Sequence, residues 1–226
     1  MSQPPLPAVE YLSGESPTAS VIWLHGLGAD GHDFEPIAAQ LRLPAALPVR
    51  FVFPHAPLRS VTLNAGMHMP AWYDIRGLDA DSPEDAAGIR RAARWIDGLI
   101  GRESQRGVPS ERIVVAGFSQ GGALALWSGL CHPHPLAGIL GLSAYLPLRA
   151  DLAHERSPAN ARTPIFLAHG TADTVVSHEL GLRSREALLE LGYPVDWHSY
   201  PMGHEVCPEE IMDIRTWLIA RLGGRG

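Results

Sequence analysis

The sequence contains no lysine; all 18 of its basic residues are arginine. That absence excludes a P-loop, which needs a lysine to reach the nucleotide phosphates, and it excludes a lysine Schiff base. Cysteine is almost as scarce, with Cys131 and Cys207 the only two. Two cysteines make no disulfide framework. Reduced thiols in a cytoplasmic protein are the expectation, and one bridge between them is the alternative. There is no Asn-x-Ser/Thr glycosylation acceptor. The opening MSQPPLPAVEYL has neither a basic nor an apolar segment, so no secretory leader is expected. The longest nearly apolar run, 137–148, is too short for a bilayer and is interrupted by Gly and Pro, so no membrane span is expected. Positive charge is in deficit overall: a net charge of −6 argues against nucleic acid and anionic lipid as partners.

What is present is an ordinary globular balance, 46% hydrophobic and 19% charged, which argues against disorder. At this length, residues 1–226 are expected to form one domain with a large core.

Short apolar or β-branched runs alternate with longer helical patterns. Strands are expected at 20–24 (SVIWL), 50–53, 112–116 (RIVVA), 138–142, 164–168 (PIFLA) and 195–200. Helices are expected near 33–41, from Ser82-Pro83-Glu84-Asp85 onward, and over 121–130, 178–191 and 209–222. In the second of these, Ile89, Ala93, Ile96 and Ile100 recur at helical spacing and form its buried face. A Pro-rich irregular stretch is read from 54 to about 81. This alternation predicts an α/β fold with a mostly parallel central sheet and helices on both faces. Reactive residues then belong beyond the carboxyl ends of the strands.

Gly117-Phe118-Ser119-Gln120-Gly121 fits G-x-S-x-G. The five residues alone are weak evidence, but a buried strand leads in and the small-residue helix GGALALW leads out. Such a sharp turn presents a serine nucleophile at a helix N-terminus. A capping serine in a tight turn is the plainer alternative. Serine needs a base, and the chain order for this motif is Ser, then Asp or Glu, then His. Of the late histidines, His169 ends a strand, His178 starts a helix and His198 lies inside a strand. His204, on the loop after 195–200, is left as the base. Asp173, on the loop after 164–168, is its orienting acid, a role compatible with an Asx turn. Asp196 is the second choice.

The tetrahedral intermediate needs fixed donors for its oxyanion. One is the backbone N–H of Gln120; the other belongs to the loop His25-Gly26-Leu27-Gly28. That same loop spells G-x-G-x-x-G through Gly26, Gly28 and Gly31, and a dinucleotide-binding oxidoreductase is therefore a rival reading. Two features oppose it: no acid ends the next strand, and Asp30 and Asp33 would repel a pyrophosphate. A non-catalytic binding protein on the same fold is a third reading. No metal and no cofactor are expected, and His132-Pro133-His134 is read as a surface turn without nearby acids.

HGLGADGHDF, FVFPHAP, MPAWYDI, VAGFSQGG, LSAYLPL, HGTADTVV and PMGHEV occur in that order. Together they resemble the carboxylesterase and acyl-protein thioesterase family of α/β-hydrolases over residues 20–222. The resemblance implies an α/β-hydrolase fold without a large cap domain, and an acyl ester or thioester as substrate. It assigns the second oxyanion donor to the backbone of Leu27, and it makes Trp72, Tyr145 and Val176 candidates to line an acyl groove. Bacterial members act on short- to medium-chain esters, and relatives suggest a homodimer as one option. On sequence alone, Met67, Met69 and Trp72 serve equally well as packing under a long loop.

Overall fold

Residues 6–77 and 82–224 are described in the computed structural model. Nine strands are assigned among them: β1 (Ala8–Leu12), β2 (Ala19–Leu24), β3 (Val49–Pro54), β4 (Leu58–Val61), β5 (Met67–Pro70), β6 (Ile113–Phe118), β7 (Gly138–Leu142), β8 (Ile165–Gly170) and β9 (Val195–Tyr200). Six α-helices are assigned: α1 (Glu35–Gln40), α2 (Ala86–Gln105), α3 (Gln120–Cys131), α4 (Arg149–Glu155), α5 (His178–Glu190) and α6 (Pro208–Leu222).

Seven strands form one sheet in the order β1-β3-β2-β6-β7-β8-β9. All neighbours are parallel except β1, which runs antiparallel to β3 along one edge. Strands β2 and β3 are buried at every residue, as parallel strands covered on both faces must be. One apolar cluster lies under α2 and α3, around Ile89, Ile96, Leu124 and Trp127; the other lies under α1 and α6, around Trp23, Phe34, Ile214 and Leu218. The architecture is an α/β-hydrolase fold, and no cap domain stands over the sheet among the described residues. Among them, too, no helix is long and apolar enough to cross a membrane.

The chain leaves β2 for β3 on one side and later returns to β6 on the other. The carboxyl ends of β2 and β6 are thus neighbours at the point where strand order reverses, with Leu24 paired to Gly117. Ligand crevices in open α/β sheets form at such a point. Farther along, Gly170 pairs with Tyr200, so the loops after β8 and β9 leave the sheet side by side.

Several expectations need correction. The edge strand β1 was not anticipated, nor was α4. The stretch from 54 is not irregular throughout: β4 and β5 form an antiparallel hairpin with Leu58 opposite Pro70. Its expected end at Asp81 lies outside the described residues. Helix α2 is capped by Asp85, whose side chain accepts from Gly88 N–H at 3.0 Å, and not by Ser82. The expected buried face of that helix is found at Ile89, Ala93, Ile96 and Ile100. His132 does have an acid beside it, since its Nδ1 lies 2.7 Å from Asp97 of α2.

Candidate active site

Ser119 occupies the single position between β6 and α3 with φ 54° and ψ −121°, a region that side chains other than hydrogen rarely tolerate. The flanking glycines make the turn sterically feasible. A Cβ on Gly117 would run into the backbone of Gly121, and a Cβ on Gly121 would run into the carbonyls of Leu24 and His25. Ser119 makes no capping hydrogen bond with its side chain. Its Oγ lies instead 3.0 Å from Nε2 of His204.

His204 reaches Ser119 from the loop after β9, and its other nitrogen, Nδ1, lies 2.7 Å from Oδ2 of Asp173. The carboxylate can only accept, so Nδ1 carries a proton and Nε2 is free to accept from the serine hydroxyl. Asp173 is itself held in an Asx turn, its Oδ1 accepting from Val175 N–H at 2.8 Å and Val176 N–H at 2.9 Å. Its side chain is wholly buried, whereas that of His204 keeps 17% of its surface. The two loops are stitched together: Thr171 N–H donates to Tyr200 O at 2.8 Å and Ala172 N–H to Met202 O at 3.0 Å. The ring of His204 also packs against Phe118, centroids 4.7 Å apart.

The competing residues stand elsewhere. Asp196 pairs with His198 at 3.1 Å on the edge strand, and His178 meets the Ser199 hydroxyl at 2.9 Å. His169, set aside because it ends a strand, is buried behind Asp173; its Nε2 lies 2.8 Å from Val176 O and 3.4 Å from Asp173 Oδ2. Burial lowers its pKa, with the Val176 carbonyl pulling the other way. No signal in the sequence marks it, because the contact between a strand-end histidine and Asp173 is made only when the loop folds back.

The backbone N–H groups of Leu27 and Gln120 make no hydrogen bond among the described residues. Both residues line a cavity of about 250 Å³ that also contains Ser119 and His204. Tyr145 and Val176 lie in its wall with Leu63 and Ile75, and Asp33 brings a carboxylate to it. Trp72 does not line it: the indole is fully buried, with its N–H donating to His25 O at 2.8 Å. Met67 is 63% exposed. A second cavity, of about 120 Å³, shares Ile75 and Tyr145 with the first but contains none of Ser119, Asp173 and His204.

The rival dinucleotide reading fails on geometry. The N–H of Gly28 is bonded to Pro70 O at 2.9 Å and that of Gly31 to His55 Nδ1 at 3.1 Å, so neither is available to a pyrophosphate. No group of three or more His, Cys, Asp or Glu stands close enough to hold a metal among the described residues.

Comparison with known proteins agrees with the fold. Acyl-protein thioesterase 1 of Neurospora crassa is 45% identical over 214 residues, 91% of this chain and 87% of the relative. The protein of the same name from Mycosarcoma maydis is 45% identical over 221 residues, 91% of this chain and 92% of its own length. Both organisms are fungi, so these relatives do not support a bacterial origin for this chain. The crystal structure of Zea mays acyl-protein thioesterase 2 superposes with a TM-score of 0.84 at 33% identity, covering 95% of this chain and 99% of that one. The family model described as phospholipase/carboxylesterase matches residues 8–221, nearly the whole chain. The protein is a hydrolase that belongs to the phospholipase/carboxylesterase family.

Proposed function

We propose that the protein hydrolyses carboxylic esters and thioesters through an acyl-enzyme on Ser119, with His204 as base and Asp173 as orienting acid. The observation that carries this is the continuous relay from Ser119 Oγ to His204 Nε2 at 3.0 Å and from His204 Nδ1 to Asp173 Oδ2 at 2.7 Å. Ser119 Oγ attacks the acyl carbonyl as its proton passes to Nε2, and the buried carboxylate stabilises the imidazolium that forms. The new oxyanion is received by the N–H groups of Leu27 and Gln120. His204 then returns the proton to the departing alcohol or thiol. Water, activated by the same histidine, releases the acid in a second passage.

Tyr145 and Val176 border the acyl chain in this reading, and Trp72 supports the wall from behind. A cavity of about 250 Å³ lies just under the usual range for small-molecule sites, which favours short to medium acyl groups. The fungal relatives are named acyl-protein thioesterases, so a thioester-linked acyl group on a protein belongs among the substrates to be tried. The unpaired Cys131 and Cys207 support a cytoplasmic location. The family match over 8–221 supports one hydrolase unit over 1–226.

The test is turnover of nitrophenyl esters from acetate to palmitate, and of the matching thioesters, by wild type and Ser119→Ala. Turnover that peaks at short to medium chains and vanishes in the variant is expected. Equal turnover by both proteins would remove Ser119 from the chemistry.

A further inference from the structure

The two N–H groups assigned to the oxyanion come from distant parts of the chain, and a third segment ties them together. Gln120 is buried, and its side-chain amide is spent entirely on residues 70–73. Its Oε1 accepts from Trp72 N–H at 3.0 Å, and its Nε2 donates to Tyr73 O at 2.8 Å. Trp72, held in this way, donates its indole N–H to His25 O at 2.8 Å and lays its ring beside the His25 imidazole, centroids 5.0 Å apart. Pro70 O accepts from Gly28 N–H at 2.9 Å. Residues 70–73 therefore grip the loop on both sides of Leu27.

The imidazole of His25 completes the path. Gly26 O lies 2.7 Å from its Nδ1, and Ala56 N–H lies 3.1 Å from its Nε2. A carbonyl accepts and an N–H donates, so the ring is the neutral tautomer with its proton on Nδ1. Burial favours that neutral form by lowering the pKa of the ring. The Gly26 carbonyl is thus held by a ring that is itself held by Trp72 and Ala56. A peptide is planar and trans, so the direction of Gly26 C=O dictates the opposite direction of Leu27 N–H.

We infer that Trp72 is a positioning residue of the oxyanion hole: clamped by the Gln120 side chain, it fixes His25, and through His25 the peptide that presents Leu27 N–H. The inference rests on the proposed hydrolysis at Ser119. It gives residues 70–73 a function that wall packing alone does not require, since packing would need neither the buried amide of Gln120 nor the indole N–H.

Two variants of the full chain test it. Trp72→Phe keeps an aromatic ring and removes the indole donor; Gln120→Leu leaves the indole in place and removes the clamp. For each, kcat and KM are measured on a short nitrophenyl ester, and the carbonyl stretch of the trapped acyl-enzyme is read by difference infrared spectroscopy. Misaiming one donor should lower kcat about tenfold to a hundredfold with KM changed by less than about twofold. The acyl carbonyl should move to higher wavenumber as its hydrogen bond weakens, which a purely structural role would not produce. If Trp72→Phe fails to fold by near-UV circular dichroism, Gln120→Leu decides by the same two readouts. Wild-type kcat and an unmoved carbonyl in a folded variant overturn the inference. A raised KM with unchanged kcat also overturns it and leaves Trp72 with an effect on substrate binding alone. If wild type itself does not turn over the ester, the hydrolytic reading fails and the clamp falls with it, whereas wild-type turnover left unmoved in the folded variants sinks the clamp alone.

Discussion

The buried Nε2 of His169 lies 3.4 Å from Oδ2 of Asp173, the same oxygen that meets His204 Nδ1 at 2.7 Å. Its principal bond is to Val176 O at 2.8 Å, so the proton sits on Nε2 and a share of its field falls on the carboxylate. Without that ring, the carboxylate that orients His204 loses a group packed behind it. His169→Leu is expected to lose about tenfold in kcat, as the Asp173 carboxylate shifts behind His204. His169→Gln places an amide donor near the same point and should restore turnover. Wild-type kcat in a folded His169→Leu would reduce His169 to a space-filler.

Asp173→Asn should fold as wild type does, because an amide oxygen can still accept from Val175 and Val176. Its amide nitrogen would face His204 Nδ1 and favour the wrong tautomer. Turnover is expected to fall by about four powers of ten, by the precedent of triads of this kind, with little change in thermal midpoint. Retained turnover would move the orienting role elsewhere. Asp196 is no candidate for it, being engaged with His198 on the exposed edge strand.

Buried titratable groups make stability depend on pH in two opposite ways. His25 and His169 both have pKa values lowered from 6.5 by burial. Below about pH 6.5 the unfolded chain binds protons at these rings that the folded one refuses, so stability falls as pH drops. Glu210 acts in the other sense: burial pushes its carboxyl up from 4.5 to about 8. Between those values the folded state keeps a proton that the unfolded state releases, so its contribution worsens as pH rises. Chemical denaturation from pH 5 to 8 of wild type, His169→Gln and Glu210→Gln should show this as two differences of opposite slope. The advantage of wild type over Glu210→Gln should shrink as pH rises, and its advantage over His169→Gln should shrink as pH falls. Parallel curves for all three would contradict the assignment.

The strand and helix around Ser119 are legible because burial on both faces of a parallel sheet leaves an unbroken apolar run, and GGALALW can be nothing but a packed helix. The loops of Asp173 and His204 are legible from chain order. The hairpin Leu58–Val61 and Met67–Pro70 is not, because its residues are half exposed and carry little alternation. Strand β1 escapes for the same reason, since no residue of AVEYL is buried and Glu10 and Leu12 are exposed. Trp72 shows a deeper limit. An indole in a Pro-rich segment reads equally as groove wall or packing, and only the tertiary position of Gln120 and His25 shows what its N–H is for. His169 is passed over because a strand-end histidine gives no sign of the acid that will fold back against it.

Gly121 offers the sharpest separation of packing from chemistry, because it carries no reacting group yet touches both halves of the site. A Cβ there would meet the carbonyl oxygens of Leu24 and His25, and the His25 carbonyl is the one that Trp72 holds. Helix α3 would have to draw back from the end of β2, pulling Ser119 and Gln120 away from Leu27. Backbone atoms cannot rotate aside as a flexible side chain could. Gly121→Ala is therefore expected to cost about 1–3 kcal/mol of stability, the usual range for overpacking a tight core, measured by urea denaturation. Turnover should fall more than the folded fraction does, since a displacement near 1 Å can cost about a hundredfold. A variant both as stable and as active as wild type would mean that α3 and the oxyanion loop can part without consequence, and the tight junction of β2 with β6 would then have no bearing on catalysis.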